Sequence, residues 1–168
     1  MAASPTSTAD TRWRIDIVKE HDLVELLPLL RAYGELNHRT EDIPMTSDDQ
    51  LVTIARVLVD RAGQEGMQLI ARSSADDRTP VGFATLLWNW STLKGGKLAI
   101  LEDLYVSDAH RDQGIADQLI AECARLAGEH GALCLTWHTS VMNQHAQAVY
   151  DRCGAEKSDR WLNYTLAL

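Results

Sequence analysis

The run Leu101 to Ala116, L-E-D-L-Y-V-S-D-A-H-R-D-Q-G-I-A, sets a polar turn and one glycine between an apolar stretch and a helical repeat. Amides leading into a helix have no intrahelical acceptor. The N–H groups of Gln113, Gly114, Ile115 and Ala116 can therefore converge on one cluster of anionic oxygens. Gly114 and Ala116 are small enough to admit a bulky diphosphate to the backbone, and Arg111 can add a charge-assisted bond. One glycine is too few for the dinucleotide fingerprint, and no G-K-S or G-K-T follows to make a triphosphate loop. Gly114 reads either as an ordinary turn glycine or as part of an anion cradle.

Such a cradle needs a strand ahead of it and a helix behind. Lys97 to Val106 alternates as a strand, and Ile115, Leu119, Ile120, Cys123, Leu126 and Ala127 share one helical face until Gly131. Upstream, Trp13 to Val18 alternates as a strand. Leu23, Leu26, Leu27, Leu30 and Tyr33 then follow at helical spacing, with Pro28 expected to bend or split that helix. A polar stretch from Asn37 to Pro44 separates it from a second helix through Leu51 to Val59, capped by Thr46 or Ser47 and ended by Gly63 and Gly66. Met67 to Ala71, Val81 to Trp90 and Lys97 to Val106 are joined only by turns, which predicts an antiparallel meander. Leu133 to Trp137 alternates as a strand, Asn143 to Arg152 is a helical run, and Trp161 to Leu168 alternates as a closing strand. The order β-α-α-β-β-β-α-β-α-β predicts an α/β fold: a mixed central sheet flanked by helices, with a parallel crossover between the strand ending at Val106 and the one around Leu135.

With 168 residues, 45% apolar and 24% charged, the chain fits one globular domain over 11–168 behind a flexible tail at 1–10. The formal net charge of −8 argues against a nucleic-acid partner held by phosphate contacts, and it would steer a cationic small molecule inward. No window approaches the roughly 18 apolar residues that a membrane span requires. Cys123, Cys134 and Cys153 are odd in number and widely spaced, which predicts packed, reduced thiols and a cytoplasmic protein. No pair of histidines has the spacing of a zinc site, so no metal is expected.

From Trp13 onward the chain resembles the GNAT superfamily of acyl-CoA-dependent N-acetyltransferases. The family signature is arginine or glutamine, two residues, glycine, one residue, then glycine or alanine. Arg111, Asp112, Gln113, Gly114, Ile115 and Ala116 match it in full, after a strand ending in Val106. Asn143, Ala146 and Tyr150 match a downstream N-x-x-A-x-x-x-Y pattern, and Gly154-Ala155 stands where many members have glycine-phenylalanine. The stretch from Leu87 to Val106 is similar to the branch holding polyamine and diamine acetyltransferases, whereas Thr136 to Asn143 resembles the broader histone, polyamine and small-amine enzymes. The resemblance implies acetyl-CoA as co-substrate, with its pantetheine arm lying like an added strand in a V-shaped opening beside Leu104, Tyr105 and Val106. Its diphosphate would lie on the amides of Gln113 to Ala116.

The implied reaction is direct attack of a primary amine on the thioester in a ternary complex. A backbone N–H near Leu104 to Val106 would meet the charge on the carbonyl oxygen. Tyr150 lies two helical turns after Asn143, on the same face, and holds a proton at neutral pH, so it is the candidate acid for the leaving thiolate. Asn143 both caps that helix and, by resemblance, bonds the pantetheine arm. Glu102 is assigned to base or water relay, His138 is a second candidate base, and Asp103 is assigned to cation binding. Trp88, Trp90, Trp137 and Tyr33 complete the expected amine site, with the tryptophans alternatively a core pair in a chain with one Phe. The acceptor expected is a small cationic amine such as a polyamine. Alternatives are a protein lysine or N-terminus, or a non-catalytic acyl-CoA-binding module. The closing strand implies, by resemblance, a homodimer.

Overall fold

The computed structural model describes residues 12–74, 78–160 and 162–166. The tail expected at 1–10 lies outside them, as does Trp161. The described chain forms two compact units, one ending at His138 and one beginning at Thr139.

The first unit holds a sheet of five strands in the order β1-β2-β3-β4-β5: Trp13–Ile17, Gly66–Ser73, Pro80–Ser91, Gly96–Val106 and Leu135–Thr136. The first four pair antiparallel, β2 to β4 through short turns and β1 to β2 across the two intervening helices, and β5 runs parallel to β4 after the crossover through a third helix. Gly66 opens β2 because nothing larger fits: a Cβ there would stand 2.2 Å from the Leu86 carbonyl oxygen.

Helices α1 (Leu23–Glu41) and α2 (Asp48–Asp60) cover one face. Leu23, Leu26, Leu29 and Leu30 of α1 and Ala55 of α2 pack there with Ile70, Phe83 and Tyr105 of the sheet. Ser47 caps α2 through a capping box, its Oγ accepting from the Gln50 N–H while its own N–H donates to Gln50 Oε1. Arg72 ties the start of α1 to β2, its guanidinium reaching Asp22 at 2.6 Å and Glu25 at 2.7 Å. Helix α3 (Ile115–Glu129) packs on β3 and β4, burying Ile115, Leu119, Ile120, Cys123, Leu126 and Ala127.

Several expectations need correction. Pro28 does not split α1, which runs unbroken from Leu23 to Glu41. The polar stretch from Asn37 continues that helix to Glu41, with polar side chains satisfied on the helical backbone: Asn37 Nδ2 donates to the Tyr33 carbonyl and Thr40 Oγ1 to that of Leu36. The helix stops at Asp42, whose φ of 55° is left-handed. Helix α2 ends at Asp60, ahead of Gly63 and Gly66. Strand β5 is two residues long rather than reaching Leu133 and Trp137, since it pairs β4 only at Ala99 and Ile100. Cys123 is buried, but Cys134 is partly buried and Cys153 exposed, so the thiols are not uniformly packed.

The second unit contains α4 (Gln144–Arg152), with Asn143 as N-cap. Its described closing residues 162–166 form no strand, and Leu162, Tyr164 and Leu166 are each at least 80% exposed. Alternation alone does not make a strand where no ladder is available.

Candidate active site

The turn from Ser107 to Gly114 is built to end a strand and start a helix with bare amides. A short 3-10 turn, Asp108–His110, is held by Ser107 Oγ against His110 Nδ1 at 2.8 Å, and the His110 ring meets Trp13 edge-on. Arg111 is anchored, with Nε donating to the Val106 carbonyl at 3.3 Å and a terminal nitrogen 2.7 Å from Asp108. Asp112 and Gly114 both adopt left-handed backbone, at φ 59° and 78°. Gly114 is the N-cap of α3 and has no side chain to cap it, so the first-turn N–H groups keep their donor capacity. A Cβ on Gly114 would meet nothing within 4 Å, leaving open space beside those amides. Uncapped amides and open space fit a diphosphate.

The edge of β4 beyond that turn is the second feature. Its parallel pairing to β5 covers only Ala99 and Ile100, while β4 continues to Val106. Leu104, Tyr105 and Val106 therefore extend past the paired part. Their side chains diverge: Tyr105 is buried against Tyr33 and Phe83, with ring centroids 6.0 and 6.1 Å away, so only its backbone can serve a cofactor.

A β-bulge sets the two acids apart. Thr85 pairs with Asp103 and Leu86 with Leu101, which leaves Glu102 as the extra residue of β4. Glu102 is exposed. Asp103 is half-buried on the face covered by α1, where it forms hydrogen bonds with Thr85 and Tyr33. Burial pushes its carboxyl above the ordinary range. The Thr85 bond opposes that shift, the charge of Glu102 adds to it, and the Tyr33 bond opposes it.

Two of the amine-site candidates lie away from Asp103. Trp88 and Trp90 point to the opposite face, and Trp88 is three residues, about 10 Å, along β3 from Thr85. There Trp88 stacks on His130 at 4.6 Å and donates Nε1 to the Ala62 carbonyl, while Lys97 lies over both indoles. Trp90 is 74% exposed. Trp137 is partly buried and His138 exposed, both just past β5.

In the second unit, the Asn143 side chain accepts from the Ala146 N–H at 3.0 Å, confirming the cap. Tyr150 is partly buried and hydrogen-bonded to Thr139, and burial holds its phenol above its ordinary pKa, so it stays protonated at neutral pH. Cys153 Sγ donates to the Tyr150 carbonyl.

Sequence reasoning missed Thr85 and Gln68. Both are buried polar residues inside otherwise apolar strand runs, and that interruption was the available signal. Among the described residues no group of three or more His, Cys, Asp or Glu side chains is arranged to hold a metal, and no helix is long and apolar enough to cross a membrane.

Comparison with known proteins agrees with this geometry. The uncharacterized N-acetyltransferase YhfO of Bacillus subtilis (strain 168) is 27% identical over 148 residues, covering 88% of this chain and 93% of that protein. The thialysine N-epsilon-acetyltransferase of Bos taurus is 33% identical over 76 residues, 45% of this chain and 44% of its own length. The crystal structure of a probable acetyltransferase superposes with a TM-score of 0.75 at 28% identity, covering 92% of this chain and 97% of the other. The aminoglycoside N-acetyltransferase AAC(6')-Iy in complex with CoA shares the fold at a TM-score of 0.77 and 21% identity, over 93% and 95% of the two chains. The acetyltransferase (GNAT) family model matches residues 32–155, spanning both units and most of the chain, and the protein belongs to that family.

Proposed function

We propose that this enzyme, which transfers the acetyl group of acetyl-CoA to an amine, acts on a small cationic primary amine that Asp103 receives. The observation that carries the reading is the half-buried carboxylate of Asp103, held by Tyr33 and Thr85 beside the bulge at Glu102. A site with two adjacent carboxylates attracts an ammonium group, and a carboxyl with a raised pKa takes its proton more readily than an ordinary one.

Acetyl-CoA supplies the activated thioester. The amides of Gln113 to Ala116 hold its diphosphate, Arg111 adds charge, and the free edge of β4 at Leu104 to Val106 offers backbone donors to the pantetheine arm and the carbonyl oxygen. Asn143 Oδ1 accepts the cap bond, and Nδ2 is the donor it offers to that arm. Asp103 binds the ammonium, as expected from the sequence, and its raised pKa gives it in addition the base role that the sequence reading places on Glu102, so that it accepts the proton directly or through water. The exposed Glu102 raises the local negative charge and is the relay, with His138 the second candidate base. The freed lone pair attacks the carbonyl, the C–S bond breaks, and Tyr150 gives its proton to the departing sulfur. The products are the N-acetylated amine and CoA with a free thiol.

The polyamine and small-amine branch is part of this proposal. The thialysine N-epsilon-acetyltransferases of Bos taurus and Caenorhabditis elegans support it, because their names give the N-epsilon group of thialysine as acceptor. Thiol release with a panel of spermidine, thialysine, an aminoglycoside, an arylalkylamine and a lysine peptide tests it. Turnover confined to the small cations supports the reading. Preference for the peptide overturns it, and binding of acetyl-CoA without turnover of any amine would identify a regulatory module instead. The proposed homodimer draws support from the exposed Leu162, Tyr164 and Leu166, and gel filtration at micromolar concentration tests it. The three unpaired cysteines support the proposed cytoplasmic location, which imaging of a tagged chain tests.

A further inference from the structure

We propose that Gln68 is a positioning residue for acetyl transfer, acting through Thr85 to fix the hydroxyl proton on the Asp103 carboxylate. Gln68 on β2, Thr85 on β3 and Asp103 on β4 are cross-strand partners in one row of the sheet, on the face that α1 covers. Gln68 Nε2 donates to Thr85 Oγ1 at 3.1 Å, and both residues are buried, at 4% and 3% exposure. Thr85 in turn bonds Asp103.

The direction of the relay follows from counting protons. An ionised carboxylate only accepts, so the single hydroxyl proton of Thr85 goes to Asp103. The Gln68 atom facing Thr85 must then be its amide nitrogen, as observed. That arrangement leaves Gln68 Oε1 buried without a partner. A buried acceptor with no donor is unfavourable to folding. Packing alone would be better served by methionine, so what glutamine adds at this position is the N–H that orients Thr85.

The groups facing Asp103 are few. Thr85 and Tyr33 bond it from β3 and α1, and Glu102 adds charge from β4. Tyr105 shares its face, with Glu35 and Arg39 of α1 and Asp108 and Arg111 of the following turn acting on that tyrosine. Of these, only Thr85 receives a bond from Gln68. The inference rests on Asp103 accepting the amine proton, and its test separates the two ideas.

The test titrates the Asp103 carboxyl by carbon NMR in the free enzyme and measures the pH profile of kcat/KM for the best amine. Thr85→Val should raise the Asp103 pKa and move the acidic limb upward, with Thr85→Ser restoring both. Gln68→Met should shift both in the same direction by a smaller amount, with a melting temperature at or above wild type. The double variant should titrate like Thr85→Val alone, because the effect of Gln68 passes through that hydroxyl. A Gln68→Met enzyme with wild-type titration, shifts that add in the double variant, or a large loss of melting temperature would each overturn the positioning role. If the titrations shift as expected while Asp103→Asn leaves the acidic limb in place, the relay stands and the base assignment falls.

Discussion

Asp103 combines two costs that usually mark a working group. It is partly desolvated, and it lies beside another carboxylate. Its native pKa is raised, so the native state binds a proton over a pH range where the unfolded chain has released it. Stability from this group is therefore lost as pH rises from the ordinary carboxylate range through the raised value. Asp103→Asn should lower kcat/KM by about 10²–10⁴-fold while raising the melting temperature near neutral pH, and the gain should vanish below about pH 4. Calorimetry across pH, run beside the kinetics, reads both effects. Wild-type activity should fall as pH drops through the raised pKa, so its acidic limb should lie above that of an ordinary aspartate. Tyr150 is proposed for the opposite duty. Burial keeps its proton on, as an acid for the leaving thiolate requires. Tyr150→Phe should reduce kcat by about 10²-fold or more with little change in KM for acetyl-CoA, measured by thiol release on the pH-independent plateau.

At the scale of elements, the chemistry depends on where backbone rules are broken. Helix α3 starts without a side-chain cap, on a glycine at positive φ, and that leaves its amides for a ligand. Gly114→Val should cost about 1–2 kcal/mol through backbone strain alone, since no neighbour blocks its Cβ, and should raise KM for acetyl-CoA. Denaturant melts and initial rates at varied acetyl-CoA separate the two losses. The bulge at Glu102 is the second broken rule. Regular alternation would put Glu102 and Asp103 opposite two successive residues of β3, but the extra residue aligns Asp103 with Thr85. The Arg72 cluster does a different job, fixing the entry of α1 on β2. Asp22 and the Arg72 guanidinium are each about one-tenth exposed. Arg72→Ala, which removes the guanidinium from Asp22 and leaves it the Lys19 N–H, should therefore destabilise the protein by about 2–4 kcal/mol in urea melts.

For the whole molecule, a net charge of −8 favours approach of a cation, so kcat/KM for a diamine should fall with added salt more steeply than for a monoamine. Stopped-time assays at several ionic strengths check this slope. The fold was largely readable in the chain because its information is local. Alternation in the strands, the Ser47 cap, the short meander turns and the apolar face of α3 each need only neighbours a few residues away. Gly114 and its flanking turn were readable for the same reason, as was the N-cap at Asn143. Other features depend on what distant segments offer. Whether Leu162 to Leu166 forms a strand depends on a ladder partner, and the length of β5 on how far β4 runs beside it. The proposed amine site is the clearest case. Nothing in the spacing of Tyr33, Gln68, Thr85 and Asp103 shows that a helix and three strands bring them together, and adjacency in sequence could not tell Glu102 from Asp103. The sequence by itself determined which residues could do acyl transfer and the order of elements that carries them. Only the tertiary structure decided which carboxylate is withdrawn from water, because desolvation and cross-strand register arise when distant segments pack.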